Sequence, residues 1–149
     1  MNRYQKAVLI KFAIVIAVTV IAVAAMVQFK SWVNRSEAMR AMEHLGRIVL
    51  KYRKDNGSIP PQSYVDGIRE SLEGNARLGN LTYRALWIDF DSSSDEILAY
   101  TEKRRGSLLF DDGFIVLRLD GRVEWMDEEK FKALLAQQQT PMELQEMQK

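Results

Sequence analysis

The chain has 149 residues, a formal net charge of +1, no cysteine and a single histidine, His44. Near-neutrality excludes the basic field of a nucleic-acid binder and the acidic tract of a polycation binder. The missing thiols remove disulfides, cysteine nucleophiles and cysteine-based zinc sites, and one histidine leaves little for His-dependent hydrolysis or transition-metal chemistry.

The stretch from Phe12 to Phe29 carries no charge. Extended back through Ala7 to Ile10, it predicts a helix of about 34 Å, slightly more than the roughly 30 Å hydrocarbon core of a bilayer. Lys11 interrupts the run where a long side chain can snorkel to the headgroups. Lys11 and Phe12 therefore mark one edge of an anchor and Phe29 the other, with Trp32 in the interfacial aromatic belt. A buried core helix would need more protein around it than the remaining residues, about 120, can supply. A cleaved signal peptide is the competing reading: Arg3 and Lys6 form a basic start and Ala22-Val23-Ala24 a small-residue cleavage site, although such apolar regions are usually about 7 to 15 residues. Basic residues lie on both sides of the run. A short basic amino terminus is commonly retained in the cytoplasm, which places residues from about 30 onward outside.

From Ser31 to Asp55, Trp32, Ala38, Met42, Leu45, Val49 and Tyr52 recur at helical spacing and extend the same helix. Gly46 lies inside it, where a missing side chain permits close approach of another element. Asn56-Gly57 predicts the end, and Pro60-Pro61 prevents resumption. Ser63 to Glu73 reads as a short helix with Tyr64, Val65, Ile68 and Leu72 inward and Gly74-Asn75 as its stop. Strands are expected at Tyr83–Phe90, Glu96–Thr101, Ser107–Phe110, Phe114–Leu119 and Arg122–Met126. In the first, alternation makes Trp87 a candidate exposed aromatic for a partner, against the competing reading of a tryptophan packed beneath the long helix or the terminal helix. Asp120-Gly121 predicts a two-residue hairpin turn with positive φ at both positions. Asp127 caps a helix that buries Phe131, Leu134 and Leu135. Thr140-Pro-Met-Glu143 is a capping box that starts a short helix or frays.

Leu50-x-Tyr52-x-x-Asp55-Asn56-Gly57-x-x-Pro60 resembles the end of the long pseudopilin helix. Val116-Leu-Arg-Leu-Asp120-Gly121-Arg-Val-Glu-Trp125 resembles the hairpin of prepilin-like proteins with a His-x9-Asp-Gly carboxy-terminal signature, and Ile97-Leu-Ala-Tyr100 precedes it as a comparable strand does there. The chain thus resembles the type IV pilin and type II secretion pseudopilin superfamily over most of its length. The resemblance implies an α+β fold in which a long amino-terminal transmembrane and amphipathic helix packs on a small antiparallel β-sheet with a carboxy-terminal helix. Residues 1–30 would be the anchor, 31–57 the soluble half of the helix, 58–136 the pilin-like domain and 137–149 a polar tail. Departures accompany the matches. No glycine precedes the run and no acid lies within it, so neither prepilin-peptidase processing nor polymerisation through a glutamate is expected; the family's two histidines are replaced by Phe110 and Arg122.

Major pseudopilins bind calcium in a carboxy-terminal loop, and calcium takes six to eight oxygens. Asp91, Asp95, Glu96 and Asp112 are the residues for such a loop here, but Asp91-Ser-Ser-Ser-Asp95-Glu96 lacks the central glycine of an EF-hand. A solvated turn is the expectation, with no cofactor or metal and no catalytic residue. The functional expectation is a non-enzymatic, single-pass subunit or accessory of a bacterial secretion or pilus-like assembly. It would sit in the inner membrane with its domain extracytoplasmic, and its partners would be the lipid bilayer and other protein subunits, copies of itself included. A tethered or exported binding module is the alternative.

Overall fold

The apolar run and the periodic segment after it lie on a single helix, α1, spanning Arg3–Asn56. A computed structural model describes residues 3–89, 91–104 and 112–146 of the chain. These divide into two compact units, one ending at Asn34 and the other starting at Arg35.

In the first unit every described side chain from Tyr4 to Lys30 is exposed. The run holds two polar side chains, Thr19 and Gln28; the Thr19 hydroxyl donates to the Val15 carbonyl at 2.8 Å and so needs no water. Phe29 and Trp32 place their rings 6.2 Å apart.

In the second unit α1 changes character. Ala38, Ala41, Met42, Leu45 and Val49 are fully buried, recurring three or four apart as one helical face requires. The helix ends as its sequence predicts: Gly57 has φ +72°, its N–H donates to Arg53 O at 2.8 Å, and the Asn56 side chain donates to Tyr52 O at 3.0 Å. Then follow α2 (Gln62–Arg69), a 3-10 turn (Asn75–Arg77), β1 (Leu81–Tyr83), a second 3-10 turn (Ala85–Trp87), β2 (Ile97–Lys103), β3 (Gly113–Arg118), β4 (Val123–Asp127), α3 (Glu128–Gln138) and α4 (Pro141–Glu146).

The four strands form an antiparallel meander in the order β1-β2-β3-β4. Alternation sends Ile115, Leu117, Val123 and Trp125 to the face covered by α1, where Val65, Leu72 and Leu78 complete the core. Ile97, Tyr100, Val116 and Met126 face the other way and meet Phe131 and Leu135 of α3. A register shift between Ile97 and Ala99 puts both Leu98 and Ala99 on the α1 side. The fold class is therefore α+β, with a long amino-terminal helix packed on a four-stranded antiparallel sheet and a carboxy-terminal helix behind it.

Three expectations need correction. The strand expected over Tyr83–Phe90 ends at Tyr83, because Arg84 (φ −101°, ψ 20°) turns the chain out of the sheet into a 3-10 turn. The short helix stops at Arg69, ahead of Glu73, and Gly74 (φ +81°) begins the next turn. The Asp120-Gly121 hairpin has a three-residue loop, Leu119–Gly121, instead of a two-residue one: Gly121 N donates to Arg118 O at 2.9 Å, Arg118 N to Arg122 O at 2.9 Å, and only Gly121 has positive φ. A tight turn followed by a glycine bulge suits the twist as well and spares Asp120 the left-handed region. The expected strand at Ser107–Phe110, along with Phe90, lies outside the described residues.

Candidate functional site

The stem is the first candidate. Lys11, Phe12, Phe29 and Trp32 are all exposed, and α1 is one helix long and apolar enough to cross a membrane. An apolar surface of that length in water would be an association hazard; in a bilayer it needs no protein cover.

The hairpin tip is the second. Gly121 (φ +89°) lies against α1 so closely that a Cβ there would come 2.5 Å from Leu50 Cδ1. Gly46 is the counterpart on the helix, where a Cβ would meet Leu117 Cδ1 at 2.9 Å and Gly121 O at 3.5 Å. Two glycines thus let the tip seat on the helix. Asp120 accepts from the Arg122 N–H at 2.9 Å and from its Nε at 2.5 Å, and Arg122 also pairs with Asp95. Slight burial raises the Asp120 carboxyl, but the backbone N–H and guanidinium of Arg122 outweigh it and hold the group below the usual carboxylate range.

The four acids considered for calcium are not brought together. Asp91, Asp95 and Glu96 lie in the loop that borders this tip, with Leu119 N donating to Glu96 O at 2.8 Å and Asp120 N to Ser94 O at 3.1 Å. Asp112 precedes β3 at its other end, beside Asp127, Glu128 and Glu129. The strand between them spans about 17 Å at its usual rise, and the Asp95 carboxylate already has a cation in Arg122. Among the described residues no group of three or more acidic or histidine side chains is placed to share a metal ion.

Trp87 is half-buried, so the exposed side chain of its turn is Leu86, at 80%. Trp125 sits half-buried on β4 with the Arg35 guanidinium 4.5 Å above its ring, a cation–π contact. Tyr52 and Tyr64 pack their rings 4.9 Å apart, and Tyr83 donates to Pro60 O at 2.9 Å. Burial, followed by the neighbouring Tyr52, pushes the Tyr83 phenol well above its ordinary value. The Tyr52, Asn56-Gly57 and Pro60 positions of the matched motif thus act in turning and fastening the chain.

One constellation is not evident from the sequence. Arg84 and Glu143 are fully buried, and they pair through two bonds: Nε to Oε1 at 2.7 Å and Nη2 to Oε2 at 2.8 Å. Arg84 also donates to Ile97 O at 2.7 Å and Gln138 O at 3.3 Å. The fork geometry of guanidinium on carboxylate, with the remaining donors satisfied by carbonyls, is what makes a buried charge pair tolerable. The only sequence signals were Thr140-x-x-Glu143 and an arginine amid apolar neighbours. Half of the capping box forms, Glu143 N donating to Thr140 Oγ1 at 3.3 Å, while the Glu143 carboxylate goes to Arg84.

Compared with protein-family models, curated proteins and solved structures, the chain matches none.

Proposed function

We propose that this protein is a single-pass, membrane-anchored, pilin-like structural subunit or accessory of a bacterial envelope assembly, working by contact and not by catalysis. The observation that carries this reading is the division of labour along α1. Its first part presents only exposed side chains, uncharged and almost all apolar from Phe12 to Phe29, and its second supplies five fully buried residues to the face of an antiparallel sheet. The hairpin whose sequence resembles that of prepilin-like proteins rests on this helix through Gly46 and Gly121. On this reading, residues from about 30 onward would lie outside the cytoplasmic membrane. With no glycine ahead of the run and no acid in it, assembly would use contacts other than the pilin glutamate.

The chain contains no cysteine, so single cysteines introduced along the run report contacts cleanly. Cross-links between copies, or to another membrane helix, at a helical repeat through Phe12–Phe29 are the expected result in native membranes. Copies that cross-link to nothing would make the run a plain tether. A second reading, an exported binding module, draws on one observation: among the described residues every buried side chain lies at Ala38 or beyond. Cleavage near Ala24 would leave that core whole. The intact mass of protein from its native envelope separates the two, since a chain starting near Ala25 favours export.

A further inference from the structure

Three cations from separate stretches of the chain meet on one short turn. Arg69 closes α2, Arg77 ends the 3-10 turn after it, and Lys103 ends β2. The Lys103 ammonium donates to Arg77 O and the Arg69 guanidinium to Gly79 O, while Arg77 Nε reaches the Glu37 carboxylate at 3.0 Å. Carbonyls satisfy a donor but cancel no charge, so three cations share one bonded carboxylate, in a pair that is itself about half exposed. Lys103 registers the imbalance. Burial, followed by the neighbouring Arg77, pushes its ammonium below the ordinary lysine value, and both causes oppose the charged form. An ammonium has three donors and a guanidinium five, so each of the three side chains keeps donors for a further acceptor.

The turn rests on α1 near the start of its buried stripe: a Cβ at Gly74 would come 2.8 Å from Glu37 O. Glu37 follows Phe29 by eight residues on that helix, at most about 12 Å beyond the end of the apolar run. Headgroups fill roughly 5–8 Å of that depth. The field of a charged surface extends about 8 Å further at physiological salt. We propose that Arg69, Arg77 and Lys103 form a docking site for the phosphate of an anionic phospholipid in the membrane that holds the stem. The inference rests on the reading of Phe12–Phe29 as a membrane anchor. A lipid phosphate brings the negative charge that the cluster lacks, and the anchor supplies it at high local concentration. Contact between the turn and the bilayer then depends on lipid charge, a property that an apolar stem alone does not confer.

The test uses the full chain with a fluorophore on Ala76→Cys, an exposed position of the turn in a chain with no other cysteine. The labelled protein is reconstituted in vesicles of phosphatidylcholine alone and of an equal mixture with phosphatidylglycerol, each carrying a headgroup-bound quencher. Stronger quenching in the mixture, reversed by high salt, is the expected result. Arg77→Gln combined with Lys103→Gln should lower the ratio of quenched to unquenched protein about 25-fold, fivefold for each charge removed near an anionic surface. Arg77→Lys combined with Lys103→Arg keeps the charges and should keep the quenching. A chain retained in both vesicles and quenched equally in the two would overturn the inference while leaving the anchor intact. Titrating that sample with inorganic phosphate in a calorimeter would then tell a free-phosphate site from a surface for an acidic protein. A chain that alkali extracts from both vesicles would overturn the anchor, and the inference with it.

Discussion

Two parts of one helix meet different surroundings, and their sequences differ accordingly. From Phe12 to Phe29, α1 is uncharged and apolar on all sides, and its side chains are exposed from Tyr4 to Lys30; from Arg35, apolar residues keep to one stripe and charges occupy the rest. A helix apolar all round and a helix apolar on one face solve different problems, the first against lipid and the second against a protein core. What marks the change is periodicity: Ala38, Ala41, Met42, Leu45 and Val49 are buried, whereas Arg40, Glu43 and Arg47 between them are exposed.

The sharpest way to break this contrast is to charge the first part. Arginines at Ala17 and Ile21 together should oppose insertion by about 5 kcal/mol or more. The protein should move from the alkali-resistant membrane fraction to the soluble one, while thermal unfolding of the unit from Arg35 onward keeps its midpoint. A shifted midpoint would mean that the two parts are not energetically separate. Next in size is the interior of the second part. Glu143→Ala leaves Arg84 buried and unpaired and should destabilise that unit by about 3–5 kcal/mol, whereas Arg84→Met combined with Glu143→Leu should recover most of the loss. Calorimetry on the full chain in detergent reads both; an unchanged midpoint for Glu143→Ala would show that the pair contributes nothing.

Much of this layout was legible in the sequence, for reasons that differ by element. The stem, the helix end at Asn56-Gly57, the β3–β4 hairpin and the Asp127 cap were all visible because each depends on a few neighbouring residues. The segment after Tyr83 was not. Its alternation reads as a strand, yet Arg84 leaves the sheet to meet a carboxylate 59 residues away. That partner is invisible to local pattern, and so is the resulting exposure of Leu86 in place of Trp87. The separation of Asp112 from Asp91, Asp95 and Glu96 was not legible for a similar reason: closeness in sequence between Asp95 and Asp112 says nothing about which end of β3 each one occupies.

Glycine substitutions sharpen the contrast further, because adding a side chain has opposite signs on a buried and a free helix face. At Gly46 a Cβ would lie 2.9 Å from the fully buried Leu117 side chain, which has little room to yield. Gly46→Val should therefore cost about 1–3 kcal/mol by overpacking. At Gly67, in α2, nothing lies within 4 Å of the added carbon. Gly67→Ala should stabilise by about 0.5–1 kcal/mol through helix propensity alone. Parallel denaturant titrations of the two variants check the pair, and a gain at Gly46→Val would mean that the hairpin does not rest on the helix there.

The smallest effect belongs to the hairpin tip. Contacts with Arg122 hold the folded Asp120 carboxyl below its ordinary value of 3.8, so the folded state favours the ionised form. The sign follows from linkage: the contribution is fully present above that ordinary value and is lost as pH falls through the lower, folded one. Arg122 stands open to water, and a pair at the exposed tip contributes very little to stability. Asp120→Asn should therefore leave stability at neutral pH almost unchanged and flatten slightly its decline on the acid side. Thermal midpoints of the two proteins, taken from neutral pH down through the carboxylate range, would converge as Asp120 protonates. Curves that instead diverged toward acid would place the stabilising charge elsewhere, with Asp95, the other carboxylate facing Arg122, as the residue to change next.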